Sequence, residues 1–401
     1  MRILHVVEGL GRGGAERRLI NDLTHLRGGG FEHRVCALGR EQALAHEIAQ
    51  LDVVVERVGL ERLSDWWTAL TRLRDILDRF PADLVHSHVF WADCYARIVA
   101  RERRLPALVT LHATTSEPGT FVYSRKRHLV DWVLARWSGC RYLAVSAQVQ
   151  RSAIQYLGVG PDRVTLIHTG VDPDRLRSSE AGRLSALRQA CGLDGASHVL
   201  IMVGRLDPPK GHRILLGALA LLRERHPGLR VLFVGTGALD STLRAQVVRD
   251  GLASMVRFLG ERDDVKDLLA ISDTYVFPTR CEGFPLTLAE AMALGKSCVA
   301  SRFGPVEELI ECDGMSGYLV EEHTSEAWAK AIERVMHDPQ RHEVGRRASE
   351  VISRQFSAQR QAEALGRLYR SLASEAVQEK TQRSVVFNRM NVPQQLAAAK
   401  R

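Results

Sequence analysis

The segment Cys281-Glu282-Gly283-Phe284-Pro285-Leu286-Thr287-Leu288-Ala289-Glu290-Ala291-Met292-Ala293 decides how the chain is read. A short apolar run, Tyr275–Pro278, leads into it and reads as a strand that ends near Thr279. Pro285 suits the first position of a helix, where its missing N–H would be unpaired anyway. The N–H groups of Leu286 and Thr287 are then expected to be free at the helix N-terminus, a place that favours an anion. Glu282 stands in the loop before that terminus, and Glu290 lies inside the helix on the 3.6 period. One carboxylate borders the helix-end site and the other sits farther along a bound ligand. Such a pair suits a hydroxyl-rich group, because carboxylate oxygens accept bonds from O–H donors. The plain alternative is a helix with a capping acid and one surface glutamate.

Working outward, the same strand–loop–helix unit recurs. Upstream strands are read at Ile3–Val7, His33–Leu38, Val53–Val58, Asp83–His88, Ala107–His112, Tyr142–Ser146 and Val164–Ile167. Helical periods lie between them, for example at Ala15–Leu26, Trp66–Phe80 and Ala92–Arg103. The rhythm breaks over Asp172–Leu193, which is polar and carries no strand. It resumes with Val199–Val203, Val231–Val234, Val256–Leu259, Tyr275–Pro278, Ser297–Ala300 and Tyr318–Val320. Alternation of this kind predicts parallel sheets with crossover helices. The fold class is therefore α/β, with two doubly wound Rossmann-like domains facing across a cleft. The expected spans are 1–178 and 179–354, a helix over 355–374 packing back on the first domain, and a flexible tail over 375–401. Ligands of such sheets bind at the carboxyl ends of the strands, so the cleft is the expected site.

Composition narrows the class. The 401 residues are 45% hydrophobic and 25% charged, which excludes disordered and fibrous chains. Fifty-five Lys+Arg against 47 Asp+Glu give a net charge of +8, and only seven of the basic residues are Lys. The balance points to an anionic partner without choosing one. Seven cysteines, with no C-x-x-C pair and no zinc spacing, read as free thiols of a reducing compartment. The apolar run at the N-terminus is too short for a signal peptide, and none reaches a membrane span. The expectation is a cytoplasmic protein, soluble or peripheral on the inner face of the plasma membrane.

Two loops offer phosphate chemistry. Gly9-Leu10-Gly11-Arg12-Gly13-Gly14 follows a strand, opens a helix and satisfies G-x-G-x-x-G. The acid that a dinucleotide ribose needs at the end of the second strand is absent, since Ala37-Leu38-Gly39-Arg40 stands there. Gly13 and Gly14 are thus read as approaching an anion, and a nicotinamide oxidoreductase is the weaker alternative. Gly204-Arg205-Leu206-Asp207-Pro208-Pro209-Lys210-Gly211 places two cations at a strand's carboxyl end, Arg205 as a fork and Lys210 as a point charge.

Taken together these motifs resemble the retaining glycosyltransferases of family 4, which have the GT-B fold. Glu282 and Glu290 look like their E-x7-E signature. Gly204-Arg205 with Lys210-Gly211, Gly235-Thr236-Gly237, Phe303-Gly304-Pro305 through Glu308, Gly13-Gly14-Ala15-Glu16-Arg17, Asp83–His88 and Val109–His112 resemble its other segments. The resemblance implies transfer of a hexose-type sugar from a UDP- or GDP-linked donor to a glycan or lipid-linked acceptor, with retention, in bacterial cell-surface polysaccharide synthesis. It implies that Arg205 and Lys210 neutralise the diphosphate, Glu282 contacts sugar hydroxyls, Glu290 holds the ribose, and His112 approaches the reacting carbon. Gly13, Gly14, Gly235, Phe258, Leu259, Gly283, Phe284, Leu286 and Thr287 are the further donor-binding candidates.

No metal or other cofactor is expected, and Asp172-Pro173-Asp174, at the domain junction, is read as a lookalike of the metal-binding D-x-D. Thr169 and Lys296-Ser297 depart from the family pattern without touching the anion site. A sugar-nucleotide epimerase of the same fold is the alternative, and nucleic-acid binding has no motif behind it. Residues 101–150 hold eight Arg+Lys against three acids. There Arg125-Lys126-Arg127 opens a helical period with Leu129, Val130, Val133, Leu134 and Trp137 on one face. The favoured reading is a crossover helix packing that face on its sheet. Docking on an anionic membrane surface is the other.

Overall fold

The computed structural model describes residues 1–114, 117, 123–176 and 179–398, with side chains to Gln378. Its first sheet holds β1 (Arg2–Val7), β2 (Glu32–Ala37), β3 (Val54–Arg57), β4 (Leu84–His88), β5 (Ala107–Leu111), β6 (Arg141–Ala144) and β7 (Val164–Leu166). The second holds β8 (His198–Val203), β9 (Leu229–Val234), β10 (Val256–Phe258), β11 (Thr274–Phe277), β12 (Ser297–Ser301) and β13 (Tyr318–Val320). The orders are β3-β2-β1-β4-β5-β6-β7 and β10-β9-β8-β11-β12-β13, and the pairings are parallel throughout. A parallel sheet is covered by helices on both faces, so its strands are apolar without alternation. Val199, Leu200 and Ile201 on β8 are all inaccessible to solvent, which is why such runs were legible.

Strand order reverses between β1 and β4 and again between β8 and β11. Loops diverge at such switch points and leave a crevice at the carboxyl edge. The loops concerned carry Gly9–Gly14, Gly204–Gly211 and Glu282–Gly283, so topology brings the predicted motifs to facing crevices.

The chain crosses between the halves twice at one place. Val171 N–H donates to the Phe356 carbonyl at 2.8 Å, and Ala358 N–H donates to the Val171 carbonyl at 2.9 Å. A Cβ on Gly170 would stand 2.5 Å from the Ser357 carbonyl oxygen, so only glycine fits this crossing. The last helix, Ala358–Ala398, packs on the helix Gly14–Leu26, and its Tyr369 hydroxyl lies 2.6 Å from His86 Nδ1.

Two expectations change, and the stretch read as carrying no strand gains a helix. The stretch from 375, read as a flexible tail, is helical through Ala398; its Ala, Gln and Glu residues favour helix without needing an apolar stripe. Asp172–Leu193 contains a helix, Ala181–Ala190, which buries no side chain and so shows no period. In the helix Arg125–Ser138 only Leu134 and Ala135 are buried, and the rest of the expected packing face is not. The expected divide at 178 falls on residues 177–178, outside the described residues. Among the described residues no helix is long and apolar enough to cross a membrane.

Candidate active site

The two halves touch across the cleft. Arg12 Nη1, from the first glycine loop, lies 2.8 Å from Asp263 Oδ1. The Glu308 carboxylate accepts the Ala147 N–H at 3.0 Å and lies 2.6 Å from His168 Nε2. Burial alone would raise the Glu308 pKa, but these partners outweigh it and hold the carboxyl below its usual range. The tightest approach is at Gly283, where a Cβ would stand 1.8 Å from the His112 carbonyl oxygen. The missing side chain lets the loop after β11 meet the end of β5, which sets His112 beside the Glu282 loop.

A cavity of about 270 Å³ lies between the halves. Gly13, Gly14, Arg17, Asn21 and Arg175 line one side, and Val203, Arg262, Lys266, Leu286, Thr287 and Glu290 the other. The Glu290 carboxylate forms no hydrogen bond or ion pair among the described residues, which leaves its oxygens available to a ligand. Burial pushes its carboxyl up to about 7, against the opposing pull of Arg17 and Arg175. Both guanidiniums are held at the cavity by Glu47, at 2.8 and 2.9 Å.

At the first glycine loop Gly13 caps the helix with no side-chain partner. The Glu16 carboxylate instead stands at this helix end, its Oε2 in the space that a Cβ on Gly13 would take. Burial is the largest influence on that carboxyl and raises its pKa, and Glu41 and Glu8 add to the rise. The helix end therefore already holds an anion, an internal one that an incoming phosphate must displace.

The second cationic loop is shaped by Gly211, at φ +82°, whose Cβ would stand 2.0 Å from the Pro278 carbonyl oxygen. This close approach sets Lys210, at the end of the turn Pro208–Lys210, into an ion pair with Glu282. Arg205 does not join them. Its side chain is 79% exposed and pairs with Asp207 at 3.2 Å.

Gly235 serves the backbone rather than the cavity wall, since a Cβ there would lie 2.2 Å from the Gly204 carbonyl oxygen. Phe258 packs edge-on against Phe233, Leu259 N–H donates to the Phe233 carbonyl at 2.9 Å, and Phe284 is buried beside His168 and Phe356. None of the three lines the cavity. The Leu286 amide is also not free, because it donates to the Phe284 carbonyl at 2.9 Å. Thr287 N–H has no partner among the described residues, and its hydroxyl accepts from Tyr275 at 2.7 Å.

His112 Nε2 lies 3.2 Å from His88 Nδ1. Burial, and secondarily the charge of Arg18, pushes its pKa down to about 3, so the ring is neutral at pH 7. His88 Nε2 is buried without a partner. A bare ring nitrogen is cheaper to bury unpaired than an N–H donor, which assigns the His88 proton to Nδ1. His88 then donates to His112 Nε2, and His112 carries its own proton on Nδ1.

Sequence reading missed Asn21, Arg175, Arg262 and Lys266 on the cavity wall, whereas Arg12 and Arg17 stood within quoted motifs without being named as site residues. Asp172 also lines the cavity, with its carboxylate 3.3 Å from His25 and accepting the Asp174 N–H at 3.0 Å.

The family pattern described as "Glycosyl transferases group 1" matches residues 185–351, and that described as "Glycosyltransferase Family 4" matches residues 12–175. A D-inositol 3-phosphate glycosyltransferase of Saccharomonospora viridis is 31% identical over 313 residues, which is 72% of this chain and 70% of that relative. The chain belongs to glycosyltransferase family 4. The transferase is also similar to crystal structures of Anabaena HepE. The complex with UDP gives a TM-score of 0.80 at 25% identity, and the complex with UDP-glucose 0.82 at 26%. Each likeness covers 92% of this chain and 100% of the HepE chain. The two parallel-sheet domains are thus those of the GT-B fold. The oxidoreductase reading of Gly9–Gly14 falls away with this assignment.

Proposed function

We propose that this transferase moves a hexose-type sugar from a UDP-linked donor to a glycan or lipid-linked acceptor, with retention at the anomeric carbon, in bacterial cell-surface polysaccharide synthesis. The observation that carries the reading is the Lys210–Glu282 ion pair set beside His112, next to a cavity whose Glu290 has no partner among the described residues. HepE, crystallised with UDP-glucose, supports the choice of base.

In this reading the ribose hydroxyls donate to Glu290. The diphosphate meets the Thr287 amide and Lys210. Lys210 turns from Glu282 to the phosphate, and the freed carboxylate accepts from hydroxyls of the sugar. His112 donates from Nδ1 to a sugar oxygen near the reacting carbon. The bond between C1 and the phosphate oxygen breaks while the acceptor oxygen approaches from the same face. The acceptor's proton passes to the leaving phosphate oxygen, so charges and atoms balance without an enzyme base. Glu282 is not assigned as a nucleophile, since its carboxylate is committed to the sugar hydroxyls once Lys210 has turned to the phosphate. The fixed cations and amides stabilise the leaving group electrostatically, and no metal ion is assigned a role.

Donor hydrolysis over a panel of nucleotide sugars tests the reading, together with the anomeric configuration of the product by NMR. UDP-sugars are expected to be turned over and to raise the melting temperature, with EDTA without effect. Inverted product, loss of activity in EDTA, or a thermal shift with NAD(P) instead of UDP-sugars would overturn it.

A further inference from the structure

The helix Arg125–Ser138 turns an apolar face outward. Leu129 is 61% exposed, Val133 49%, Trp137 42% and Trp132 40%. At about 100° per residue these four share an arc of roughly 140° with Arg125, Lys126 and Arg136. No acid lies on that arc. The helix's one acid, Asp131, points inward to the buried guanidinium of Arg97.

Cations and rings interleave on this face. The Arg136 guanidinium lies 3.7 Å from the centre of the Trp132 ring, and that of Arg101, from the preceding helix Phe90–Arg103, lies 4.8 Å from the centre of the Trp137 ring. The Arg136 N–H groups go to carbonyls of Trp132 and Leu157, which leaves its charge without an acid. Arg125 and Lys126 are exposed and form no ion pair among the described residues.

We infer that this face docks the transferase on an anionic lipid bilayer surface. The occupant must offer negative charge and apolar depth over the same area. A bilayer with acidic headgroups offers both: indole rings enter the headgroup boundary, while Lys and Arg stems lie along it with their charges at the phosphates. Position agrees with this. Crossover helices of a parallel sheet begin at its carboxyl edge, so the Arg125 end lies on the side where His112 meets Gly283. Trp67, 83% exposed, opens the helix Trp66–Arg79 at the same edge. Docking therefore turns the acceptor side of the cleft toward the membrane. The inference does not depend on which sugar or base is bound.

Flotation of the full chain with phosphatidylcholine vesicles, with and without phosphatidylglycerol, tests it. The chain is expected to float with the anionic vesicles only, and salt should strip it off. Arg125→Gln/Lys126→Gln should weaken binding by about fivefold per charge removed. Trp132→Ser/Trp137→Ser should weaken it as well, and both variants should hydrolyse donor in solution at the parent rate. No flotation with either vesicle, or flotation undiminished in both variants, would overturn the proposal. So would self-association in sedimentation velocity that the tryptophan variant abolishes, because a second copy would then be the occupant.

Discussion

Gly283→Ala is the sharpest perturbation the structure offers. The new Cβ would stand 1.8 Å from the His112 carbonyl oxygen, where ordinary contact begins near 3.4 Å. The neighbour is backbone at the end of β5, so no side chain can swing away. The loop after β11 and the end of β5 must separate by about 1.6 Å, the difference between those two distances. Overpacking of this kind costs about 1–3 kcal/mol when it is absorbed in place. Here it can be relieved by opening the cleft, since each half keeps its own core. The thermal midpoint is thus expected to move little. Catalysis should suffer more, because the displacement falls between His112 and Glu282, and a misplacement of about 1 Å can cost about 100-fold. Steady-state kcat/KM for transfer is expected to fall by about that factor, with UDP affinity nearly kept, since Glu290 and Thr287 lie on the unmoved helix. A Gly283→Ala enzyme with parental kcat/KM and an unchanged cleft would refute the reasoning.

Three other perturbations read out separate parts of the site. Lys210→Ala removes the cation proposed for the leaving phosphate and leaves Glu282 without its partner; kcat should drop by about 10²–10³, and a change under threefold in steady-state rate would count against the assignment. Glu290 has its folded pKa raised to about 7, so its ionisation opposes stability increasingly as pH rises from its ordinary 4.5 to about 7. The ribose hydroxyls proposed to donate to Glu290 would favour its ionised form. UDP binding at pH 6 should therefore release close to one proton, and affinity should rise by at most about tenfold per pH unit until pH 7. Calorimetry in buffers of different ionisation enthalpy reads this directly, and zero release in the parent enzyme would contradict it. Tyr369→Phe strips His86 Nδ1 of its partner and should cost about 1–2 kcal/mol in urea unfolding, without changing KM for donor; an unchanged midpoint would mean that a water replaces the hydroxyl.

Much of the architecture was legible because of one physical regularity. Strands of a parallel sheet are apolar on both faces, so β1, β8 and the others announced themselves as β-branched runs, and the strand-end loops carried their glycines and charges openly. Glu282, Glu290, Lys210 and the two glycine loops could be named from the chain for that reason, as could the fold class. Local pattern was a poorer guide where packing decides exposure. The apolar stripe of the helix Arg125–Ser138 predicts burial, yet a helix period states only which residues share a face, not whether anything covers it. Phe258, Leu259 and Phe284 belong to matched motifs but serve the core behind the cavity. Arg17 and Arg175 are 158 residues apart and share one carboxylate, Glu47, a juxtaposition that no spacing encodes. The tertiary structure alone decided three further points. Lys210 rather than Arg205 faces Glu282, because Gly211 jams against Pro278. The Glu16 carboxylate fills the space beside Gly13 at the end of the first loop. Gly283 is demanded by the His112 carbonyl of the other half, since the distance between two backbones is set by how the domains close and not by either sequence motif.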